Sequence, residues 1–383
     1  MPTNHRIALA HDWLCGYRGG EAVLDRLARI VLADHVAAGL YVMTDDGQPL
    51  TDAIDALAHT RSALSSLPGG SGRFRRWLLP LYPRAVAQLS GKLGAAHKRQ
   101  PISLLVSTSS AAIKGLRPPP GVPHLCYCHT PARYIWSQSA QYEAGLRGVG
   151  LRLVRERYRA WDRASAQGVT RFIANSQHTA REIERCFGMP SAVVHPPVRT
   201  EFFTPDPAIQ REDFWLCVGA LEPYKRVEIA IAAAALAGKR LVVVGTGSCE
   251  RALRSAAGPD TVFEGGVNHE RLRDLYRRAA VLLFPQVEDF GIVAVEAQAC
   301  GLPVVAAGAG GALDSVQHGS TGELVTAPTA DSLAAAAVRV TGCVLRDARP
   351  WAQRCRANAV NFSEERFDCA MRSEMLSLLP AST

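Results

Sequence analysis

Short apolar runs that end in glycine or in small polar residues recur along this chain, and they constrain its fold more than any other feature. Such runs are typical of strands buried on both faces of a parallel sheet. They alternate with stretches of helical spacing, as crossover connections require. The runs lie at 6–10, 102–106, 124–128, 172–174, 215–218, 240–244, 262–263, 281–284 and 303–306. The pattern predicts an α/β fold made of two doubly wound halves.

A proline-rich segment at 195–207 separates the two groups of runs and predicts an interdomain linker. A chain of 383 residues is long enough for two hydrophobic cores. We therefore expect an N-terminal Rossmann-like domain at 1–200 and a C-terminal one at 201–361.

The composition indicates the charge of a binding partner but not its identity. Lys and Arg outnumber Asp and Glu by 43 to 35, which favours an anionic partner such as a nucleotide, a phosphorylated lipid, an anionic membrane or a nucleic acid. We expect neither a secretory signal nor a membrane-spanning helix, because no apolar run is long enough. The 10 cysteines are scattered without a CxxC pair, which predicts buried thiols rather than a zinc site.

Two carboxylates flank the start of one predicted helix. Glu288 follows the apolar run at 281–284, and Glu296 lies within the helical pattern that Gly291 opens. In open α/β sheets, ligands bind at the carboxyl ends of the strands, and a helix start offers free N–H groups. We therefore expect both carboxylates to face the same ligand.

Several stretches together resemble the family 4 retaining glycosyltransferases, and more narrowly the bacterial polysaccharide mannosyltransferases that use GDP-mannose. The resemblance runs from Ala10 to about Phe367, and the motifs that carry it are 126–136, 172–176, 218–226, 310–313 and the pair Glu288 and Glu296. It implies the GT-B fold, in which two Rossmann-like domains face each other across a cleft. It also implies that the first domain binds the acceptor and the second binds the nucleotide sugar. The segment 363–367 resembles the start of a terminal helix, 362–383, that packs back on the first domain.

The implied activity is that of a hexosyltransferase that moves a sugar from a nucleoside diphosphate to an acceptor hydroxyl with retained anomeric configuration. Charge then builds on the β-phosphate, where a fixed cation stabilises the transition state. Lys225 is our first choice, and Arg226 is suited to hold a phosphate through its planar fork. Many family members carry an arginine where this chain has Ala220, and Arg226 is the natural substitute. The alternative is that Lys225 and Arg226 only cap a helix from its solvent side.

The resemblance assigns two further catalytic residues. His129 would contact the donor sugar near the reacting centre without acting as a general base, and Glu288 would bind the sugar hydroxyls. A rival hypothesis makes Glu288 a nucleophile, as in retaining glycosidases. Glu296 is expected on the ribose hydroxyls instead. Both glutamates could also be ordinary surface residues at a helix start.

The remaining donor-binding predictions rest mainly on glycine turns and backbone groups. Gly19 and Gly20 would let the backbone approach the diphosphate, although a simple tight turn is the alternative. The loop at 308–311 would pass the donor or only allow close packing. The other predicted donor-binding residues are Gly245, Val267, Asp289, Phe290 and Gly291.

Two basic stretches suggest contact with an anionic bilayer at the acceptor side. The first carries Arg73, Arg75, Arg76 and Trp77, and the second spans 152–163. Cations near such a surface contribute roughly 1 kcal/mol each. We therefore expect a cytoplasmic protein associated peripherally with the inner face of the plasma membrane. A solvated helix face is the alternative, and nucleic-acid binding is not expected.

The sequence thus predicts transfer of mannose from GDP-mannose to a polyprenyl-diphosphate-linked oligosaccharide in exopolysaccharide or lipopolysaccharide biosynthesis. The nucleotide sugar is a co-substrate, and we expect neither a cofactor nor a metal. Three alternatives stay open. They are a UDP-sugar donor of glucose, galactose or N-acetylglucosamine, a sugar-nucleotide epimerase of the same fold, and a non-catalytic nucleotide-sugar-binding homologue.

Overall fold

The computed structural model describes residues 5–67, 75–136 and 147–380. Side chains are described for these residues except 75–77, 134 and 147–154. The chain divides into two compact units, the first formed by Met1–Pro197 with Phe367–Thr383 and the second by Val198–Arg366.

The first unit contains a sheet of seven parallel strands in the order β3-β2-β1-β4-β5-β6-β7. The order reverses between β1 and β4, which creates the topological switch point of a doubly wound fold. The strands are β1 (Arg6–Leu14), β2 (Val36–Asp45), β3 (His59–Arg61), β4 (Leu104–Ser109), β5 (His124–Cys128), β6 (Arg171–Ala174) and β7 (Ser191–Val193).

Helices connect these strands as crossovers. The α-helices are Gly19–Asp34, Asp52–Asp55, Tyr82–Arg99, Arg133–Trp136, Arg147–Ala166 and Gln177–Phe187, and the 3-10 helices are Ala63–Ser66, Arg75–Leu81 and Ile113–Gly115.

The second unit repeats this plan with six parallel strands in the order β10-β9-β8-β11-β12-β13. Its switch point lies between β8 and β11. The strands are β8 (Phe214–Val218), β9 (Arg240–Val244), β10 (Thr261–Gly265), β11 (Val281–Phe284), β12 (Val304–Ala307) and β13 (Gly322–Val325).

The helices of the second unit follow the same alternation. The α-helices are Val227–Leu236, Glu250–Ala256, His269–Arg278, Ile292–Ala299, Ala312–Ser315, Ala330–Arg346 and Arg349–Ala359, and the 3-10 helices are Pro223–Lys225 and Val360–Phe362.

A final helix, Glu364–Leu376, sends three apolar side chains into the core of the first unit. These side chains are Phe367, Met371 and Met375, and each is at most 2% exposed. Asp368 on the same helix accepts a hydrogen bond of 3.0 Å from Arg26 Nε. Residues from Phe367 onward therefore belong structurally to the first unit.

The α/β class and the doubly wound plan are as the sequence predicted, and two local predictions were wrong. The first strand extends past Ala10 to Leu14, and the next helix begins at Gly19, so Gly19 and Gly20 form its first turn rather than a loop before it. Asp45 is the buried last residue of β2. Its carboxylate accepts hydrogen bonds from Gly47 N and Arg61 Nε, which offset the cost of burying it.

In the part of the chain that the structure describes, no helix is both long and apolar enough to cross a membrane.

Candidate active site

The switch point of the second unit brings together the two residues that the sequence singled out most strongly. Lys225 ends the short 3-10 helix that follows β8, and Glu288 lies in the loop that follows β11. Because β8 and β11 are parallel neighbours, their carboxyl ends share one edge of the sheet. The Lys225 ammonium donates a hydrogen bond to Glu288 Oε1 and forms an ion pair with it.

Gln286, which the sequence analysis did not select, completes this contact. Its Nε2 donates to Glu288 Oε1 at 3.0 Å, and its side chain is buried. The side chains of Lys225 and Glu288 keep 15% and 18% of their exposure, so the pair remains accessible to a ligand. The only signal in the sequence that could have revealed Gln286 is its position, since a polar residue lies two places before Glu288 in the same loop.

Arg226 has an unusual backbone beside this pair. It is the one non-glycine residue with positive φ, 54°, among those the structure describes. It lies at the N-terminus of helix Val227–Leu236, and its NH2 donates to Pro328 O at 3.3 Å. Strained backbone of this kind clusters at functional sites. Arg226 occupies the N-cap position, but its side chain makes no capping hydrogen bond. Both the capping role and the phosphate role of Arg226 stay predictions.

Glycines allow the loops of this edge to approach each other closely. A Cβ added at Gly245 would lie 1.9 Å from Gly219 O, and Gly245 has φ of 134°. A Cβ at Gly310 would lie 2.3 Å from Glu288 O, and Gly311 N donates to that same oxygen at 2.8 Å. The loop at 308–311 therefore fixes the backbone of the loop that carries Glu288.

Glu296 lies on the next helix, Ile292–Ala299, in different surroundings. Its Oε2 accepts a hydrogen bond of 3.2 Å from the Tyr276 hydroxyl. Burial raises the pKa of the Glu296 carboxyl to about 7, although Tyr276 and the charge of Arg199 oppose the rise. When deprotonated, Glu296 only accepts hydrogen bonds, whereas the protonated carboxyl also donates one and keeps part of its acceptor capacity.

The other predicted donor-binding residues of the second unit lie in the loop after β11, at a helix cap or in the hydrophobic core. Phe290 is 3% exposed, and its ring packs 5.5 Å from that of Phe362, so its side chain serves the core. Gly291 caps helix Ile292–Ala299 with φ of 92°, and a Cβ there would lie 2.8 Å from Phe284 Cζ. Asp289 is half-buried in the same loop, and Val267 packs partly buried against the same core.

In the first unit, His129 follows β5 directly and is held by the backbone. Its N donates to Ser109 O at 2.8 Å, and Asn175 Nδ2 donates to its carbonyl at 2.9 Å. Burial lowers the pKa of the imidazole to about 4, so the ring is neutral at pH 7. Its buried Nε2 has no hydrogen-bond partner among the described residues. A neutral ring can donate or accept one hydrogen bond there.

Helix Gly19–Asp34 begins beside this imidazole. A Cβ at Gly20 would lie 3.7 Å from His129 Nε2 and 3.8 Å from His11 Cε1. His11 Nε2 lies 3.8 Å from Glu21 Oε1. Burial raises the pKa of Glu21, but His11 and the backbone N–H groups of Glu21 and Arg18 together lower it below its usual value. His11 was not predicted from the sequence, because it lies inside the apolar first strand.

The two basic stretches have different outcomes. Arg73 lies outside the described residues, and the side chains of Arg75, Arg76 and Trp77 are also outside what the structure describes. In helix Arg147–Ala166, Arg159 Nε and NH2 donate to Ile135 O at 3.0 and 2.7 Å. Arg163 Nε donates to Cys186 O at 3.0 Å.

Both guanidinium groups also lie over the Trp136 ring, at 5.2 Å for Arg159 and 5.4 Å for Arg163. Arg159 and Arg163 thus pack inward on the protein.

Family models match both halves of the chain. The model described as Glycosyltransferase Family 4 matches residues 17–202, and the model described as Glycosyl transferases group 1 matches residues 198–343. Together the two matches span residues 17–343, so the chain is similar to the GT-B glycosyltransferases of group 1 and family 4. The second match contains both Lys225 and Glu288.

Curated relatives carry a more specific name. The D-inositol 3-phosphate glycosyltransferase of Mycobacteroides abscessus is 32% identical over 232 residues, which are 54% of this chain and 50% of that protein. The protein of that name from Nocardiopsis dassonvillei is 35% identical over 252 residues, 56% of each chain. The chain therefore spans about half the length of the curated relatives it matches. Neither relative is named as a GDP-mannose mannosyltransferase, so that subgroup stays a prediction.

Solved structures share the fold across nearly the whole chain. HepE of Anabaena, in complex with UDP and glucose, has a TM-score of 0.68 and 18% identity, with 97% of this chain and 100% of that chain covered. Sucrose-phosphate synthase of Thermosynechococcus elongatus has a TM-score of 0.72 and 20% identity, with 98% and 99% covered. At such identities the likeness establishes the GT-B fold alone.

Proposed function

We propose that this glycosyltransferase transfers a hexosyl group from a nucleoside diphosphate sugar to an acceptor hydroxyl with retained anomeric configuration. The observation that carries the proposal is the contact between Lys225 and Glu288 at the switch point of the second unit. A cation and a carboxylate at this edge are what a donor with a charged diphosphate and a hydroxylated sugar requires.

In this proposal, each residue has a distinct task. Lys225 stabilises the charge that develops on the β-phosphate as the bond to the sugar breaks. Arg226 supplies a second cation, Glu288 accepts hydrogen bonds from sugar hydroxyls, and Glu296 accepts them from the ribose. His129 donates or accepts one hydrogen bond through its neutral ring near the sugar, and the start of helix Gly19–Asp34 offers N–H groups to the diphosphate.

The donor remains to be chosen between two classes. The motif resemblance supports GDP-mannose. The complex of HepE with UDP and glucose supports a UDP-sugar as the second candidate. For the acceptor, the resemblance supports a polyprenyl-diphosphate-linked oligosaccharide, with peripheral binding to the inner face of the plasma membrane. The names of the curated relatives support an inositol phosphate instead.

Thermal unfolding in the presence of nucleotides tests the donor proposal. The panel is GDP, UDP and ADP with their sugar conjugates, each measured on the wild type and on Glu296→Ala. A ligand at about 100 times its dissociation constant stabilises the folded protein by roughly 2.7 kcal/mol, which is readily measured. We expect GDP or UDP, but not both equally, to raise the Tm, and Glu296→Ala to reduce that rise.

Each pattern of response has a definite meaning. A rise with guanine nucleotides alone supports the mannosyltransferase hypothesis, and a rise with uracil nucleotides alone replaces the donor. No rise with any nucleotide would contradict donor binding by this site.

A further inference from the structure

Glu288 receives two hydrogen bonds on one of its oxygens. Lys225 and Gln286 both donate to Oε1, whereas Oε2 has no hydrogen-bond partner among the described residues. The backbone beside the carboxylate is already fixed, because Gly311 N donates to Glu288 O at 2.8 Å. The direction of Oε2 is therefore set by what holds Oε1.

The two donors to Oε1 differ in what a diphosphate would do to them. Lys225 carries a compact charge on a flexible stem, and the proposed function directs that charge to the donor's β-phosphate. A diphosphate group is more negative than one carboxylate, so it competes for the ammonium. Gln286 is neutral and 2% exposed, so it has neither the charge nor the freedom to follow.

We propose that Gln286 is a positioning residue, which holds Glu288 Oε1 so that Oε2 faces the donor sugar when Lys225 turns to the diphosphate. The inference rests on the proposed function. It assigns to Gln286 an effect on the sugar part of the donor and none on the nucleotide part.

The variant Gln286→Met tests this, because methionine is close in volume and cannot donate a hydrogen bond. Its control is Gln298→Met, a second buried glutamine of the same unit, which donates to Ala294 O and Ser315 O instead. Calorimetry measures the binding of UDP, GDP and ADP, and nucleoside diphosphate release measures turnover of their sugar conjugates.

For Gln286→Met we expect the Kd of the nucleoside diphosphate to change less than about twofold. We expect kcat/KM for the sugar conjugate to fall about 10-fold to 100-fold, as befits a lost hydrogen bond to a charged group. Gln298→Met should lower the Tm, and it should not reduce kcat/KM for the sugar conjugate more than it weakens binding of the nucleoside diphosphate. Equal losses of diphosphate binding and turnover in Gln286→Met, or no loss of either, would overturn the inference.

A second variant separates positioning from a general structural role. In Gln286→Glu only the protonated carboxyl can donate to Oε1, so turnover relative to the wild type should rise as the pH falls. A flat ratio would contradict the proposal. A wild type that binds none of UDP, GDP and ADP would overturn the proposed function itself, before any variant is compared.

Discussion

Lys225 in the second unit and His129 in the first are both predicted to contact the donor, yet the protein holds them in opposite ways. Lys225 is already paired with Glu288, so an anion must compete with that carboxylate for the ammonium. His129 is neutral because burial lowers the pKa of its ring to about 4, and its Nε2 has no partner among the described residues. The second unit must exchange a partner to bind an anion, whereas the first unit has only to form a new hydrogen bond.

The largest effect that sharpens this comparison is expected from Lys225→Ala. Removing the cation at the β-phosphate should lower the rate of nucleoside diphosphate release about 100-fold to 1,000-fold, as the loss of one preorganised donor does elsewhere. The control is Lys239→Ala, which removes a lysine of the same unit paired with Asp213. Similar rates of nucleoside diphosphate release in the two variants would contradict the role of Lys225 at the β-phosphate.

The next effect is the pH dependence of stability, to which the buried side chains of Glu296 and His129 contribute with opposite sign. Burial raises the pKa of Glu296 from 4.5 to about 7, so the folded state binds more protons than the unfolded state between these values. Its contribution to stability is present below pH 4.5 and is lost as the pH rises to about 7. Burial lowers the pKa of His129 from 6.5 to about 4, so its contribution is present above pH 6.5 and is lost as the pH falls to about 4.

The variants Glu296→Gln and His129→Gln should therefore change the pH dependence of the free energy of unfolding in opposite directions. Each removes a slope of at most about 1.4 kcal/mol per pH unit, the limit for a single proton. Denaturant titrations from pH 4 to pH 8 measure both slopes. Slopes that change in the same direction would contradict the comparison.

The smallest effect separates membrane binding from packing in helix Arg147–Ala166. Arg159→Ala removes two hydrogen bonds to Ile135 O and the contact with Trp136, and should lower the free energy of unfolding by about 1 kcal/mol. Arg157, exposed on the same helix, is the control, and Arg157→Ala should change it by less than about 0.5 kcal/mol. A loss of binding to anionic vesicles in Arg159→Ala without a loss of stability would favour the membrane role.

Much of the fold could be predicted because buried parallel strands leave a strong trace in the sequence. β5, β9 and β11 begin and end where their apolar runs do. β3 was missed because its three residues, His59 to Arg61, are polar and lie at the edge of the sheet. β2 was missed because its first residues are partly exposed and its last, Asp45, is charged.

The candidate site was predictable in position but not in its contacts. The switch-point rule and the motifs placed Glu288 and Lys225 at strand ends. Their ion pair joins residues 63 positions apart, and its existence depends on side-chain directions that no local pattern specifies. Gln286 and Tyr276 were missed for the same reason, since each acts through a carboxylate that the sequence had already selected.

A crystal structure with the nucleoside diphosphate that stabilises the protein tests the central claim most directly. The account predicts a β-phosphate oxygen within about 3 Å of Lys225 Nζ and ribose hydroxyls at the same distance from the Glu296 carboxylate. A diphosphate bound away from the carboxyl ends of β8 and β11, with Lys225 still paired to Glu288, would contradict it.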